Sequence, residues 1–257
     1  MFNISNSNNP SGKPLIQYLE THIVDHCNLK CNHCSHFCHL IDEEIYTDIN
    51  QFTKDINELS SKLDVFQLRL LGGEPLLHPQ INNFMIEARK AFPASFISIV
   101  TNGILLPSMP QSFWDTVKEN RIKIDLSKYP IIGNKFSEIL DLIDDHDMQP
   151  GNIKLAKKFF ESLNPKGDSD IEKSYKICGS KACVNLWKQH LYPCQNCYRY
   201  YYNKKFNTNL ELPPAIDLYK LSGKEIFEEL KKYKKPFSAC KFCLEKGIVR
   251  EWELYKE

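Results

Sequence analysis

Asp25-His26-Cys27-Asn28-Leu29-Lys30-Cys31-Asn32-His33-Cys34 places three cysteines on one short loop in a Cys-x3-Cys-x2-Cys spacing. Three thiolates this close can hold three irons of a four-iron cluster and leave the fourth open to a reactant. A cluster whose irons are all held by cysteine mainly moves electrons, whereas an open iron does chemistry. Immediately upstream, residues 15–24 alternate well enough for a strand that runs straight into this loop.

Working outward, residues 48–63 carry Ile49, Phe52, Ile56, Leu59 and Leu63 at helical spacing behind Asp48, a residue suited to starting a helix. Residues 65–71 form a short apolar strand ended by Gly72-Gly73-Glu74-Pro75. A second amphipathic helix is expected over 79–92 and a strand over 96–100, closed by Thr101-Asn102-Gly103. A helix near 111–119, a strand over 121–127 and a helix over 136–144 follow. Strand and helix alternate at least four times, which predicts an α/β fold of parallel strands joined by right-handed crossovers, as an open sheet or a partial or full barrel. Ligands then gather at the carboxyl ends of the strands. The cysteine loop, Gly-Gly-Glu-Pro, Thr-Asn-Gly and residues 127–130 all fall there.

The 257 residues can bury a substantial core, and 42% hydrophobic with 25% charged residues is ordinary for a globular chain. A net charge of +1, from 33 basic and 32 acidic residues, offers no nucleic-acid footprint and no membrane surface charge. Residues 1–11 are rich in Asn and Ser, without the apolar stretch of a signal peptide, and no later run reaches membrane-spanning length. The cytoplasm is therefore the expected location. Close Cys-x-x-Cys spacings without an export signal read as metal or cluster ligands rather than disulfides.

Cysteines fall into two groups: Cys27, Cys31, Cys34 and Cys38, then Cys178, Cys183, Cys194, Cys197, Cys240 and Cys243. For the first group a zinc knuckle completed by one of His22, His26, His33, His36 and His39 is one reading. Zinc sites, however, usually pair two hairpins on a small fold. A ferredoxin-type site using Cys38 is another, but the first gap is three residues and no proline follows Cys38.

Taken with the Gly72-Gly73-Glu74-Pro75 loop, the cysteine loop resembles that of the radical S-adenosylmethionine (SAM) superfamily, and the likeness covers about residues 15–160. The resemblance implies a partial (β/α)6-type barrel in which Cys27, Cys31 and Cys34 hold a [4Fe–4S] cluster whose remaining iron is chelated by SAM. It implies reductive cleavage of SAM to a 5′-deoxyadenosyl radical that takes a hydrogen atom from substrate, with the electron coming from a flavodoxin or ferredoxin-type donor. It also implies that Gly72, Gly73, Glu74 and Pro75 meet the methionine moiety, the glycines allowing close backbone approach. His33 stands where the family usually has an aromatic residue against adenine. Thr101, Asn102 and Ser127 become candidates for ribose or adenine contacts, each with an alternative role as a turn or cap residue.

The stretch from Cys183 to Cys194 reads as a β-hairpin turning near Gln189 and His190, with a cysteine at each end. A two-stranded ribbon is barely stable alone, so a staple is expected. This part resembles the Twitch extension, a shortened relative of the SPASM domain. The resemblance implies a small hairpin-plus-helix unit with a second, auxiliary [4Fe–4S] cluster held by Cys194, Cys240, Cys243 and either Cys178 or Cys183. Spacing to Cys194 favours Cys178. Cys197 and Cys38 are left without a role. The expected division is an unstructured N-terminus over 1–14, a radical SAM core over 15–160 and a Twitch-like unit over 161–257.

Compact members of the superfamily without an N-terminal peptide-binding domain suit small polyols, sugars and aminocyclitols, and about 14 residues precede the first strand here. The expected reaction is oxidation of an alcohol to a ketone, or dehydration, of such a small molecule. A peptide-modifying enzyme and a non-catalytic iron–sulfur or zinc protein are the alternatives. Lys123, Asp125 and Ser127 alternate on one strand face, and Lys123, Asp125 and Arg69 are the candidate catalytic groups. The run Tyr198 to Tyr202 is expected as a half-exposed strand.

Overall fold

The structure is a computed structural model that describes residues 11–256. Most of the expected unstructured N-terminus, residues 1–10, lies outside the described residues. Residues 11–14 are tied down: the Asp64 N–H donates to the Pro14 carbonyl at 2.9 Å and Lys13 Nζ to the Ser60 carbonyl at 2.6 Å.

The first half alternates as its periodicity dictates. In chain order it runs β1 (Leu15–Val24), α1 (Ile49–Lys62), β2 (Asp64–Gly72), α2 (Ile81–Ala91), β3 (Phe96–Thr101), α3 (Gln111–Glu119), β4 (Lys123–Lys128), α4 (Lys135–Asp145) and β5 (Ile153–Leu155). Asp48 starts α1 by accepting from the Gln51 N–H at 2.8 Å, which satisfies one of the orphan donors at the helix start. After β5 come β6 (Lys158–Leu163), α5 (Ile171–Ile177), β7 (Val184–Trp187), β8 (His190–Tyr192), α6 (Arg199–Phe206), β9 (Ile216–Asp217), α7 (Gly223–Lys232) and β10 (Cys243–Glu251).

Eight strands form one sheet in the order β5-β4-β3-β2-β1-β7-β8-β9, and β6 pairs with β10 in a separate antiparallel ribbon. From β5 to β7 all neighbours are parallel, giving the six-strand arrangement of an open, partial barrel. Period-two alternation sorts the side chains. Leu19, Ile23, Leu68, Leu70, Ile97, Ile99, Ile124 and Leu126 join the core built by Phe52, Ile56, Phe84, Phe113 and Ile143 from the helices. Tyr18, Glu20, Arg69, Ser98 and Asp125 fall on the opposite face, where they bond to one another.

The hairpin departs from expectation. It is not a free ribbon stapled by a cluster, because β7 pairs with β1 (Leu19↔Val184, Glu20↔Asn185, Thr21↔Leu186) and becomes the sixth parallel strand. Its turn is Lys188-Gln189, with φ of 48° and 67°, and His190 already opens β8. The tyrosine run is also not a strand. It forms α6 and the turn before it, with Tyr198 and Tyr201 buried beneath the first cysteine loop.

Both central residues of the hairpin turn occupy the left-handed region, which costs a non-glycine residue about 1–2 kcal/mol. Lys188 Nζ lies over the Trp187 and Tyr200 rings at 4.4 Å and is best kept, but replacing Gln189 by Gly, which the second turn position prefers, is expected to raise stability by about 1 kcal/mol. Urea denaturation checks this; a lowered midpoint would contradict the turn assignment.

Candidate active site

The loop after β1 is held from two sides. From one side, the Gly73 N–H donates to the Val24 carbonyl at 2.9 Å and the Glu74 N–H to the His26 carbonyl at 3.1 Å. A Cβ on Gly72 would stand 1.8 Å from the Val24 carbonyl oxygen, and one on Gly73 would stand 1.9 Å from that of His26. Both glycines are therefore required by the chain's own backbone, whatever ligand lies above them. From the other side, the segment after β10 returns to the loop. The Asn32 N–H donates to Glu253 at 2.9 Å, the Tyr255 N–H to Lys30 at 2.6 Å, and the Trp252 indole N–H to Cys31 Sγ at 3.2 Å.

Cys27, Cys31 and Cys34 line one cavity of about 400 Å³ together with Gly72, Gly73, Glu74, Thr101, Asn102 and Ser127. All ten cysteines are free thiols. Burial pushes the Cys31 thiol up to about 11 and raises Cys27 further. Cys34 moves the other way: the Cys38 thiol hydrogen-bonds to it and, outweighing burial, holds it well below the usual range. Cys38 lines the same cavity, its thiol within 4.0 Å of the Gly72 carbonyl.

Glu74 is 1% exposed and starts a short turn at Pro75–Leu77. Its carboxylate accepts from the Thr101 hydroxyl at 2.6 Å, the Asn102 N–H at 2.9 Å and the Leu76 N–H at 3.1 Å. Burial nonetheless pushes its carboxyl up to about 7, against those three bonds. Asn102 also donates to the Asn28 side chain at 2.7 Å, joining the loop after β3 to the cysteine loop. Turn and cap roles are therefore realised for Glu74, Thr101 and Asn102, and all three still face the cavity.

Not every expected residue arrives. His33 has a left-handed backbone (φ 58°) and lines a different cavity, with Phe37, His39 and Tyr255, so it is not positioned with the Gly-Gly-Glu loop. Pro75 is buried and does not line the cavity. Lys123 is exposed at the opening end of β4, far from the carboxyl rim, and leaves the catalytic set. Asp125 is buried under the cavity, accepting from Ser98 at 2.9 Å and the Asn152 N–H at 2.7 Å, with Arg69 Nε at 3.4 Å.

Arg69 does face the cavity, as do Tyr18, Glu20 and Cys183, none of the last three expected as catalytic or substrate-binding groups. Glu20 accepts from Tyr18 at 2.6 Å, Cys183 at 2.9 Å and Arg69 at 3.3 Å. Burial works to raise its carboxyl, but the field of His36 and these donors together hold it below the usual carboxylate range. Alternation along β1 placed Tyr18, Glu20 and His22 on one face, which is the signal that marks them in the sequence. Below the loop, His22 stacks on Tyr198 with ring centroids 3.6 Å apart, and Tyr201 donates to Asp25.

A second, narrower cavity is lined by Cys178, Cys194, Cys240 and Cys243. Cys183 is elsewhere, bonded to Glu20, and Cys197 is wholly buried. A third cavity of about 510 Å³ shares Ser127, Tyr129 and Gln195 with the first and reaches Cys178 and Cys243, so the two cysteine sets face connected space. Among the described residues no group of three or more His, Cys, Asp or Glu side chains is placed to hold a single metal ion. Three free thiols facing one roomy cavity instead suit an iron–sulfur cluster, whose irons are each held by a separate thiolate.

No protein-family model matches the chain. It is 31% identical over 131 residues to the GTP 3′,8-cyclase of Trichodesmium erythraeum (strain IMS101), covering 47% of this chain and 39% of that protein. Against the GTP 3′,8-cyclase of Clostridium acetobutylicum it is 32% identical over 174 residues, covering 61% and 50%. The chain thus spans half or less of the length of these curated relatives. Its fold is similar to that of BtrN crystallised with AdoMet and 2-DOIA, with a TM-score of 0.56 and 16% identity over 92% of this chain and all of BtrN. Sequence and fold together support the radical SAM superfamily. With that superfamily comes support for SAM and a [4Fe–4S] cluster as cofactors, and for an enzyme. Among the described residues no helix is long and apolar enough to cross a membrane.

Glu74 supplies a pH test. Because its folded carboxyl titrates near 7 instead of 4.5, its contribution to stability is full below about pH 4.5 and is lost as pH rises through about 7. The stability of the wild-type chain minus that of Glu74→Gln is expected to fall across this window in urea titrations. Parallel curves would show that the carboxyl is not perturbed.

Proposed function

We propose that the chain is a radical SAM enzyme that oxidises or dehydrates a small polyhydroxylated molecule, a carbohydrate or aminocyclitol. The observation that carries the reading is the convergence of Cys27, Cys31 and Cys34 with Gly72, Gly73, Glu74, Thr101, Asn102 and Ser127 on one cavity at the carboxyl rim of a parallel sheet. The three cysteines would hold the SAM-binding [4Fe–4S] cluster, and the remaining residues would surround SAM. When bound, these groups supply a 5′-deoxyadenosyl radical that removes a hydrogen atom from substrate. Cys178, Cys194, Cys240 and Cys243, which share a second cavity, would hold an auxiliary [4Fe–4S] cluster, with Cys178 rather than Cys183 as the fourth ligand. A flavodoxin or ferredoxin-type protein would deliver the starting electron.

The chain's own contribution lies in Tyr18, Glu20 and Arg69. Fixed polar groups on a rigid sheet can orient a hydroxylated ring without reorganising during reaction. Glu20, kept ionised by its donors, is the carboxylate placed to take the hydroxyl proton when an alcohol carbon is oxidised. Asp125 acts one step back, by setting the position of Arg69. Whole-chain likeness in fold to a protein that holds AdoMet beside a second small molecule supports a cavity for two such molecules. The GTP 3′,8-cyclase relatives favour a second reading, a nucleoside triphosphate substrate, for which Lys154, lining both the first and the connected cavity, is a candidate cation.

Anaerobic reconstitution decides the cofactor assignment. Wild-type protein is expected to bind about eight irons and to form 5′-deoxyadenosine under reduction, with Cys178→Ala keeping about four. Cys27→Ala should form none, and retained cleavage there would exclude the assignment. A panel of aminocyclitols, sugars and GTP then separates the substrate readings by which compound stimulates 5′-deoxyadenosine formation. With the stimulating polyol, Glu20→Gln is expected to lower oxidised product by about 10²–10⁴-fold while SAM cleavage persists. Unchanged product formation would remove Glu20 as the base.

A further inference from the structure

Arg199 opens α6 and is 1% exposed. A buried cation is costly unless an opposite charge accompanies it, yet among the described residues this guanidinium makes no ion pair with a carboxylate; the nearby Glu211 carboxylate feels its charge but pairs with Lys241. Nη1 donates to the Glu211 backbone carbonyl at 2.7 Å and, at 3.5 Å, to that of Ala239. The Glu211 carboxylate itself is engaged by Ser238 and by Lys241, the latter at 3.2 Å. Phe242 lies under the guanidinium carbon at 5.5 Å, and Nε is buried without a hydrogen-bond partner. What the guanidinium does reach is sulfur: Nη2 donates to Cys243 Sγ at 3.5 Å. Asn196 Nδ2 donates to the same sulfur at 3.2 Å.

Cys243 is one of the four cysteines lining the second cavity. Four thiolates around an oxidised [4Fe–4S] core leave a net charge of about −2, and charge and hydrogen bonds at the sulfurs set the cluster's potential. We infer that Arg199 is the counter-cation built for an anionic four-thiolate cluster at Cys178, Cys194, Cys240 and Cys243, and that it raises that cluster's reduction potential. This rests on the auxiliary-cluster reading above and deepens it. Neutral protein dipoles alone would leave the cation buried and the cluster's charge uncompensated; together each offsets the other.

The consequence for the reaction is directional. A substrate carbon radical bearing a hydroxyl becomes a carbonyl by losing one electron and one proton. Glu20 would take the proton, and a cluster held by Cys178, Cys194, Cys240 and Cys243 would supply the one-electron acceptor. A higher potential draws that electron toward the cluster.

The test uses the full-length chain with Cys27, Cys31 and Cys34 all changed to Ala and reconstituted anaerobically, so that only the second cluster remains. Redox titration followed by EPR reads its midpoint. In this background Arg199→Gln is expected to lower the reduced-to-oxidised ratio at fixed poise about tenfold, about 59 mV for a one-electron couple. Arg199→Lys, which keeps the charge, should recover most of the shift. A loaded Arg199→Gln chain with an unchanged midpoint would overturn the inference and leave the four-cysteine site standing. Failure of the parent chain to bind iron would overturn that site and the inference with it. Should Arg199→Gln lose the cluster, retention by Arg199→Lys supports the role of charge, whereas loss from both overturns it in favour of packing by the guanidinium.

Discussion

Everything at the rim depends on how closely two loop backbones approach. The turn after β2 rests on the start of the cysteine loop through bonds from the Gly73 and Glu74 N–H groups, at a separation that admits no side chain at 72 or 73. That contact fixes Cys27 relative to Glu74, and Glu74 in turn reaches Thr101 and Asn102. Asn102 then closes the circuit to Asn28. Three separate rim loops are thereby locked into one surface, with the cysteine thiols on its cavity side. Such preorganisation is what a site needs if reactive groups are to be held without motion.

The sheet below divides its two faces by chemistry. One face is closed by helices and mostly apolar, so it supplies the burial that stabilises the fold. The other carries Tyr18, Glu20, Arg69, Ser98 and Asp125, joined by hydrogen bonds and by ion pairs from the Arg69 guanidinium to both carboxylates. A polar network of this kind is costly when incomplete and rigid when satisfied. It gives the cavity a floor able to grip hydroxyl groups, in contrast to the thiol-lined wall above. Near the second cavity the arrangement is different: among the described residues Arg199 is buried without an ion pair, and one of its N–H groups is directed at Cys243.

Much of this was legible in the residues. Helical spacing behind Asp48 and alternation before Cys27 located α1 and β1, and Gln111–Glu119 is a helix over the expected span. Local signals succeed there because the period of burial is written into a single segment. They fail where the partner is distant. The tyrosines after Cys197 have strand-like composition but form α6, because Tyr198 stacks on His22 and Tyr201 bonds Asp25, contacts across more than a hundred residues. The hairpin is stabilised by β1, and a strand's choice of neighbour is not encoded in its own pattern. His33 follows the motif in sequence but turns away, since its left-handed backbone aims it at another cavity.

The sequence by itself determined the alternating α/β order, the placing of cysteine, Gly-Gly-Glu and Thr-Asn-Gly loops at one rim, and the two groups of thiols. Periodicity and spacing are local properties, and a parallel sheet with right-handed crossovers converts them into a common edge. Only the tertiary structure decided that Cys178 and not Cys183 shares a cavity with Cys194, Cys240 and Cys243. It also decided that Trp252 and Tyr255, at the far end of the chain, brace the first cysteine loop. These depend on which remote segments meet, a matter settled by packing and hydrogen-bond satisfaction of the whole chain and not by any one stretch of it.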